Sequence, residues 1–443
     1  MGVSASAVVD ALTAAVGSGF FRGDPDSLAR YAVDGVLPRW VAFPGSVQEA
    51  SRVVALAAEE RLALVPWGSG TRSSLGNVPA RVDLVLDLSR LSAIAEYAPD
   101  DLTVTVGAGT TLETLARHLD RCHQFLPLDP LDGARRTTGG VTVTDGSGPL
   151  RFRYGTARDL LLGVRFIEAD GTVTSGGAKV VKSVTGYDMP KLMVGALGSL
   201  GVLVELTLRL HPLPELERSW LLSFDSADRA AEFLHRVLDS SLQPNRLELL
   251  SGEALRAEGG NGTVGTAVAL SVGSVPEAVE SQGEAALGLA RALGGEGKEI
   301  GHTDFWSGLG TVIHGGRNEH AVVLKVTTLV SNLVRRAVEV QTLGRGLGLQ
   351  VALVAEAGNG VLHARLSGAL APEKWDRLVI APLRDRLTAE GGSCVVEEAS
   401  RALKERVDVW GPLDPAAFAI MKRLKDAFDP QSVLNPGRFV GRL

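Results

Sequence analysis

Hydrophobic and polar residues follow two different patterns along this chain. The first pattern occupies the first half of the chain. Stretches with an apolar residue at every second position lie between stretches with apolar residues three and four apart, the spacings of strands and helices. The pattern predicts strands at 62–66, 83–88, 102–106 and 202–210, and helices at 46–58 and 111–119. Asp170 and Gly171, between two further apolar stretches, indicate a hairpin. The first half therefore predicts a mixed domain of strands and helices.

The second pattern of hydrophobic and polar residues begins after the segment from His211 to Pro214. Two prolines bracket a leucine there and predict a domain boundary. Longer helical stretches now separate single strands, a pattern typical of a sheet with helices on one face. The predicted strands are 220–224, 266–272, 321–327 and 350–355, and the predicted helices are 225–238, 276–293, 333–347 and 415–428. Turn-forming residues at 429–438 predict an ordered C-terminal segment.

Composition narrows the possible functions. A length of 443 residues exceeds what one hydrophobic core usually supports, so two domains are expected. The net charge of -6 and the scattered basic residues argue against a nucleic-acid partner. Cys122 and Cys394 stand far apart, which excludes an iron–sulfur cluster or zinc ribbon built on this chain's thiolates. No apolar run reaches the ~18–20 residues that span a bilayer, so we expect a cytoplasmic protein without a transmembrane segment.

Two glycine-rich stretches carry the strongest chemical signal. They lie at 66–76 and 137–156 and combine glycine with serine, threonine and arginine. Glycine lets the backbone approach a ligand closely, and successive exposed N–H groups form a concavity for an anion such as a pyrophosphate. Two such loops predict a large phosphate-bearing cofactor. A G-x-G-x-x-G pattern at 260–265 precedes a strand, whereas the dinucleotide fingerprint follows one, so we expect a surface loop there.

A series of short motifs identifies the family that the chain resembles. The motifs lie at 66–71, 106–112, 126–130, 138–140, 147–151, 153–159, 169–171, 181–182, 186–188, 197–202, 209–214, 428–430 and 434–438. They resemble the FAD-binding domain of the vanillyl-alcohol oxidase superfamily, the PCMH-type FAD-binding fold. Within that superfamily the chain most resembles the FAD-binding subunit of bacterial glycolate oxidase. The motifs cover both ends of the chain, and the middle matches loosely.

The resemblance implies an α+β fold in three parts. A two-subdomain FAD-binding domain occupies 1–213, a ferredoxin-like α/β cap occupies 214–397, and a C-terminal segment at 398–443 packs back on the FAD domain. The implied FAD-binding residues are Pro66, Trp67, Gly68, Ser69, Gly70, Thr71, Gly76, Pro130, Thr138, Gly139, Gly140, Thr144, Ser147, Gly148, Tyr154, Gly201, Val202 and Asn435. Thr71 stands where related flavoproteins carry a flavin-linking histidine, so we expect non-covalent FAD.

The catalytic side departs from the family pattern. Related 2-hydroxy-acid dehydrogenases hold a metal and the substrate with a His-x-Gly-Asp-Gly-Asn-x-His segment and a later Glu-His pair. Here the first segment runs from Glu356 to His363 without its first histidine, and the later pair is Glu397 and Glu398. Glu356, His363 and Glu397 could still ligate a divalent ion, but because imidazole ligands are missing, we expect no metal. A solvated turn of the second domain is the alternative interpretation of the segment.

Oxidation of a 2-hydroxy acid needs a base for the hydroxyl proton and a cation for the carboxylate. His363 is the predicted base, with Glu356 beside it, and Arg365 or Lys325 is the predicted cation. Other candidates are interpreted as structural: His302, His314 and His320 at the surface, and Tyr187 in packing beside the flavin.

Three functions stay open. The first is a subunit of a glycolate oxidase-type complex that oxidises a small 2-hydroxy acid to a 2-oxo acid. Its implied partners are a larger FAD-linked catalytic subunit and an iron–sulfur subunit, through which the chain would lie peripherally at the inner membrane. The second is a free-standing FAD-dependent dehydrogenase of the D-lactate type. The third is a structural flavin subunit without turnover of its own.

Overall fold

The computed structural model describes residues 5–178, 186–252, 254, 265–315 and 320–443. The motif at 181–182 and most of the glycine pattern at 260–265 lie outside the described residues. Strands and helices alternate through the described ranges, which confirms the predicted α+β class. Within these ranges no helix is both long enough and apolar enough to cross a bilayer.

The first part of the chain, up to residue 213, consists of small sheets covered by short helices. Its strands are β1 (Phe21–Arg22), β2 (Trp40–Ala42), β3 (Leu64–Trp67), β4 (Leu84–Asp87), β5 (Ile94–Ala98), β6 (Thr103–Gly107), β7 (Gln124–Phe125), β8 (Leu161–Ile167), β9 (Val173–Gly177), β10 (Val202–Arg209) and β11 (His211–Pro212). Its helices are α1 (Ala5–Val16), α2 (Pro25–Leu28), α3 (Val47–Glu59), α4 (Leu112–Leu119), α5 (Thr138–Thr144), α6 (Arg151–Tyr154), α7 (Ala157–Leu160) and α8 (Met189–Met193). One sheet has the order β1-β2-β4-β3 and another β5-β6-β10-β8-β9.

Local sequence explains most of these elements. Helix α3 begins where the Ser46 hydroxyl accepts a hydrogen bond from the Glu49 N–H, and it buries one apolar face. Strands β8 and β9 form the predicted hairpin, with Gly171 in the left-handed region at φ 91°. The prediction of an open loop at 137–156 is wrong in part, because α5 and α6 lie within it. The Thr137 side chain accepts from the Gly140 N–H and caps α5, which offsets the low helix propensity of glycine and threonine there.

The cap is built on a single antiparallel sheet with the order β15-β12-β14-β13-β17-β18-β16-β19. Its strands are β12 (Leu216–Phe224), β13 (Arg246–Gly252), β14 (Thr266–Ser274), β15 (Glu296–Ile300), β16 (Ala321–Thr327), β17 (Gln350–Glu356), β18 (Val361–Ser367) and β19 (Ser393–Glu398). The helices from the cap to the C-terminus are α9 (Ala227–Leu238), α10 (Pro276–Ala292), α11 (His302–His314), α12 (Leu333–Gly346), α13 (Pro372–Trp375), α14 (Ala381–Ala389), α15 (Arg401–Arg406) and α16 (Pro415–Phe428). A π-helical turn, Asp376–Ile380, joins α13 to α14.

The two faces of the cap sheet differ in chemistry. One face packs an apolar core against α9, α10, α12 and α14. The other face is covered by α11 and by the first part of the chain, and it carries charged side chains among apolar ones. Glu248 of β13 pairs in register with Glu356 of β17, and His363 of β18 pairs with Val354. Because strand side chains alternate between faces, Glu248, Glu356 and His363 all lie on this second face.

The C-terminal segment returns to the first part of the chain. The Leu64 N–H donates to the Val433 carbonyl, and the Asn435 N–H donates to the Leu64 carbonyl, each at 2.8 Å. A buried ion pair fixes the preceding turn, with Lys425 Nζ 2.5 Å from Asp429 Oδ2. This contact lies where the resemblance placed the segment, and the division at residues 213 and 397 stays a prediction.

Candidate flavin site and active site

The two predicted glycine-rich stretches meet at a cleft in the first part of the chain. They approach so closely that a Cβ on Gly68 would lie 2.3 Å from Thr137 Oγ1. The predicted cofactor residues that line the cleft are Pro66, Trp67, Gly68, Ser69, Gly70, Thr71, Gly140, Thr144 and Asn435. Arg72, Arg136, Thr137 and Arg438 line it as well and were missed from the sequence. Arg72 lies inside the first glycine-rich stretch and Thr137 begins the second, so the stretches themselves were a signal for these two; Arg136 and Arg438 lie outside both.

The chemistry of this cleft fits the pyrophosphate of FAD. The backbone N–H groups from Gly68 to Thr71 have no acceptor among the described residues, and Gly70 has a positive φ of 75°. The buried Nε of Arg438 also lacks a partner within the described ranges. Unpaired buried donors are costly unless a ligand satisfies them, and a run of backbone N–H groups suits phosphate oxygens. The threonine at position 71 offers no imidazole, so non-covalent attachment stays the prediction.

The other predicted cofactor residues are not in the wall of this cleft. Thr138 is buried and donates from Oγ1 to the Gly107 carbonyl at 3.2 Å, and a Cβ on Gly148 would lie 1.8 Å from the Asp129 carbonyl oxygen. Close packing also surrounds Gly76, Gly139, Gly201 and Val202. The remaining three face other spaces: Ser147 the neighbouring cleft, Pro130 an apolar cleft beside α4, and Tyr154 the rings of Phe125 and His211. Their contribution to FAD binding stays a prediction.

A second cleft adjoins the first, since Arg72, Arg136 and Thr144 line both. His363 stands in its wall and is only 5% exposed. His363 Nδ1 lies 3.2 Å from Glu397 Oε2, while Nε2 lies 4.0 Å from Glu356 Oε1. Because a carboxylate only accepts, Nδ1 carries the proton in the neutral ring and Nε2 keeps its lone pair.

The interpretation of residues 356–363 as a solvated turn is therefore wrong. Glu356 is 3% exposed and His363 is 5% exposed, because helix α11 and the first part of the chain cover this face of the sheet. The surface assignment of His314 is wrong for the same reason, since its side chain is 8% exposed and its Nδ1 lies 2.9 Å from Glu398 Oε1. His302 is half-buried against Ser219. The Tyr187 ring is 93% exposed among the described residues, and its place beside the flavin stays a prediction.

Arg72 links the two clefts electrostatically. Its Nη2 lies 3.0 Å from Glu397 Oε1 and its Nη1 lies 3.2 Å from Glu398 Oε1. Burial acts to raise the pKa of Glu397, but the charges of Arg72 and His363 outweigh it and hold that pKa well below its usual range. Glu397 is therefore ionised, and it holds the His363 ring in one orientation.

His314, His363 and Glu397 also form a geometric metal cluster, with one ligand atom from each within 4.8 Å of the others. A metal of the kind held by related dehydrogenases does not fit here. The guanidinium of Arg72 already lies 3.0 Å from Glu397 Oε1 and 3.1 Å from His314 Nδ1. The expectation of no metal stays a prediction.

Glu248 and Glu356 form a buried acidic pair beside this cleft. Neither carboxylate oxygen of Glu248 has a hydrogen-bond partner among the described residues, and neither does Glu356 Oε1. Burial, with the charges of Glu356 and Asp129, raises the pKa of Glu248 well above its ordinary value. Burial likewise raises the pKa of Glu356, although His363, Arg151 and Lys325 oppose the rise. The pair therefore retains a proton above the pH at which exposed glutamates ionise.

Replacing Glu248 with glutamine is expected to stabilise the fold increasingly as pH rises. The folded wild type keeps this proton after the unfolded chain has lost it, so its free energy of unfolding falls with rising pH above about 4.3. Glutamine has no proton to lose, so its advantage grows by up to about 1.4 kcal/mol per pH unit. Urea unfolding across a pH series measures the difference. Glu296→Gln, at an exposed position, is the control. A difference in the free energy of unfolding between Glu248→Gln and wild type that stays constant with pH would contradict the prediction.

Comparisons with known protein families cover almost the whole chain. Residues 38–177 match the FAD binding domain. Residues 213–439, more than half of the chain, match the C-terminal domain of FAD linked oxidases. Both matches agree with the cleft chemistry, and the predicted FAD cofactor is confirmed.

Relatives of similar length have names from one chemical class. The chain is 27% identical to glycolate oxidase subunit GlcD of Bacillus subtilis over 423 residues, which cover 92% of this chain and 90% of that protein. It is 27% identical to D-lactate dehydrogenase of Archaeoglobus fulgidus over 418 residues, 91% of each chain. It is 26% identical to D-2-hydroxyglutarate dehydrogenase of Xanthomonas citri over 448 residues, 94% of this chain and 93% of that protein.

A solved structure extends the agreement to the fold. p-Cresol methylhydroxylase with substrate bound superposes with a TM-score of 0.77 at 17% identity, over 99% of this chain and 97% of that one. At this identity the match shows the fold alone, and it confirms the predicted PCMH-type architecture. Fold, cleft chemistry and family matches thus agree that this chain belongs to the FAD-linked oxidases and is an FAD-dependent oxidoreductase.

Proposed function

We propose that this chain oxidises a small 2-hydroxy acid to the corresponding 2-oxo acid. The observation that carries the proposal is His363, buried in the second cleft with Nδ1 held by Glu397 and Nε2 left without a hydrogen-bond partner among the described residues. A held imidazole with a free lone pair is suited to take a hydroxyl proton. Relatives named for glycolate, D-lactate and D-2-hydroxyglutarate support the substrate class.

Each side chain around His363 has a separate role in this proposal. When bound, FAD supplies the acceptor for the hydride of the hydroxyl-bearing carbon. His363 Nε2 takes the hydroxyl proton, and Glu356, 4.0 Å away, stabilises the imidazolium that results. Lys325 pairs in register with His363 and lines the same cleft, so it neutralises the substrate carboxylate. Arg365 donates from Nη1 to the Ile313 carbonyl at 3.1 Å, and we therefore assign the carboxylate to Lys325.

We further propose that electrons leave this chain for a partner protein. Cys122 is exposed and Cys394 is buried, so the described thiols offer no ligand set for an iron–sulfur cluster. Similarity to a protein named as a glycolate oxidase subunit supports a complex with other subunits. We propose that these are another FAD-linked subunit and an iron–sulfur subunit, and that the chain lies peripherally at the inner membrane through them. The alternative is a free-standing dehydrogenase, which similarity to D-lactate dehydrogenases supports. Copurification from the native host separates the two.

The absorption spectrum of the purified holoprotein tests the proposed reaction. We expect flavin bands that bleach under anaerobic conditions with glycolate, D-lactate or D-2-hydroxyglutarate, since the cofactor then accepts a hydride. L-Lactate is the matched control for the configuration at the hydroxyl-bearing carbon. Bands that persist with every 2-hydroxy acid would contradict the proposed reaction and favour the structural subunit. A colourless protein would contradict the cofactor site itself.

A further inference from the structure

Arg72 lies within the first glycine-rich stretch at 66–76, yet its guanidinium is buried against the cap. Only 10% of its side chain is exposed. Its Nη2 lies 3.0 Å from Glu397 Oε1, and its Nη1 lies 3.2 Å from Glu398 Oε1 and 3.1 Å from His314 Nδ1. A planar guanidinium with several donors matches carboxylates better than an ammonium does. The proton transfer proposed above does not use Arg72, so its burial needs an explanation of its own.

The groups around Arg72 are those that a divalent metal would need. His314, His363 and Glu397 supply a cluster of ligand atoms within 4.8 Å of one another. His314 Nδ1 lies between Arg72 and Glu398, and the two carboxylate oxygens of Glu397 contact Arg72 and His363. Nε2 of His363 keeps its lone pair, but a divalent ion needs several ligand atoms. The guanidinium of Arg72 contacts two of the three candidate ligands and competes with an ion for them.

Two guanidiniums compensate most of the negative charge of this region without a metal ion. The carboxylates of Glu397, Glu398 and Asp132 face the guanidinium of Arg72, and Arg136 Nη1 lies 2.9 Å from Asp132 Oδ1. Burial acts to lower the pKa of Arg72, but the carboxylates of Glu397, Asp132 and Glu398 outweigh it and raise that pKa. The guanidinium is a permanent cation here.

We propose that Arg72 replaces a divalent metal ion beside His363, so that the active site of this chain works without a bound metal. The proposal that no metal binds here depends only on the contacts of Arg72. The effect of Arg72 on catalysis, in contrast, rests on the proposed function. Arg72 acts through another residue: it holds Glu397, and Glu397 holds the Nδ1 proton of His363. Arg72 is thus a positioning residue that ties the orientation of the base to the cofactor loop.

Metal content tests the exclusion independently of any activity. Wild-type holoprotein is exposed to excess Mn²⁺ or Zn²⁺, desalted and analysed by mass spectrometry of the metal. We expect far less than one ion per flavin in wild type and in Arg81→Met, which replaces an exposed arginine. Arg72→Met is expected to bind a stoichiometric ion that a second substitution, His314→Ala, removes. A stoichiometric ion in wild type that His314→Ala removes would overturn the proposal, even if Arg72→Met fails to fold.

The limiting rate of flavin reduction, compared with the substrate affinity, tests the positioning role. Without Arg72, Glu397 is no longer held, and the Nδ1 proton of His363 loses its fixed acceptor. We expect metal-free Arg72→Met to reduce its flavin at least about tenfold more slowly at saturating substrate, Arg72→Lys to recover part of that loss, and Arg81→Met to match wild type. A wild-type limiting rate in a folded, flavin-bound Arg72→Met protein would overturn the positioning role. If no 2-hydroxy acid reduces the flavin, the proposed function fails, and the metal result still decides whether Arg72 excludes the ion.

Discussion

Replacing His363 with glutamine is expected to slow flavin reduction by the substrate about 10²- to 10⁴-fold, the usual contribution of a general base. Glutamine keeps a donor that can face Glu397, but it has no lone pair basic enough to take the hydroxyl proton. The flavin should stay bound, because His363 lines the second cleft and not the glycine-loop cleft. Stopped-flow absorbance under anaerobic conditions measures the rate.

The matched control for this experiment is His235→Gln on the exposed face of α9. It makes the same chemical change far from either cleft and should leave the rate unchanged. Equal rates for His363→Gln and His235→Gln would remove His363 from the catalytic role. Loss of flavin from His363→Gln alone would instead assign this residue to cofactor binding.

Replacing Asp429 with alanine is expected to lower the free energy of unfolding by about 3–5 kcal/mol, because the change leaves a buried ammonium without its counter-charge. Asp429 is 1% exposed. Its Oδ2 lies 2.5 Å from Lys425 Nζ and accepts from the Leu434 N–H at 2.8 Å, while Oδ1 accepts from the Val433 N–H at 2.9 Å. The variant therefore also frees the backbone that leads to Asn435. Urea unfolding measures the loss, and the temperature at which flavin fluorescence appears reports release of the cofactor.

Asp426→Ala is the control for Asp429→Ala. Asp426 pairs with Lys422 one turn earlier in the same helix, but both side chains are exposed. Exposed pairs contribute about 0–1 kcal/mol, so this variant should unfold close to wild type. Similar losses in the two variants would show that the buried pair does not fix the C-terminal segment.

Local signals in the sequence predicted much of the fold. Strand 321–327 and helix 415–428 have the predicted bounds, because alternation and amphipathic spacing are properties of the segment itself. The helix Thr138–Thr144 was missed, since glycine and threonine disfavour helices and the cap from Thr137 outweighs that preference only in the folded chain. The Thr138 and Gly139 N–H groups also donate to the Thr110 and Ala108 carbonyls, distant partners that the segment's own sequence does not show.

In the candidate site, too, features that are local in the sequence were predicted, and contacts between distant residues were not. The glycine-rich loops were found because their composition is local, and the family motifs supplied FAD and the importance of His363. Arg72 contacts His314 across 242 positions of the chain and Glu398 across 326. No local pattern shows such pairs, so the sequence alone placed His314 at the surface and gave Arg72 no role. The sequence also could not predict that Glu356 is buried, because the first part of the chain covers that face of the cap sheet only in the folded protein.

Three ion pairs connect the cap to the first part of the chain, which carries the glycine-rich cleft. Arg72 reaches Glu397, Arg246 Nε lies 3.3 Å from Asp129, and Arg151 lies 3.6 Å from Glu356. A hinged lid would have to break all three contacts in each catalytic cycle, and each separation would expose charges that are now mostly buried. We therefore expect the cap strands and the first part of the chain to move as one body, with these three contacts intact while a ligand enters or leaves.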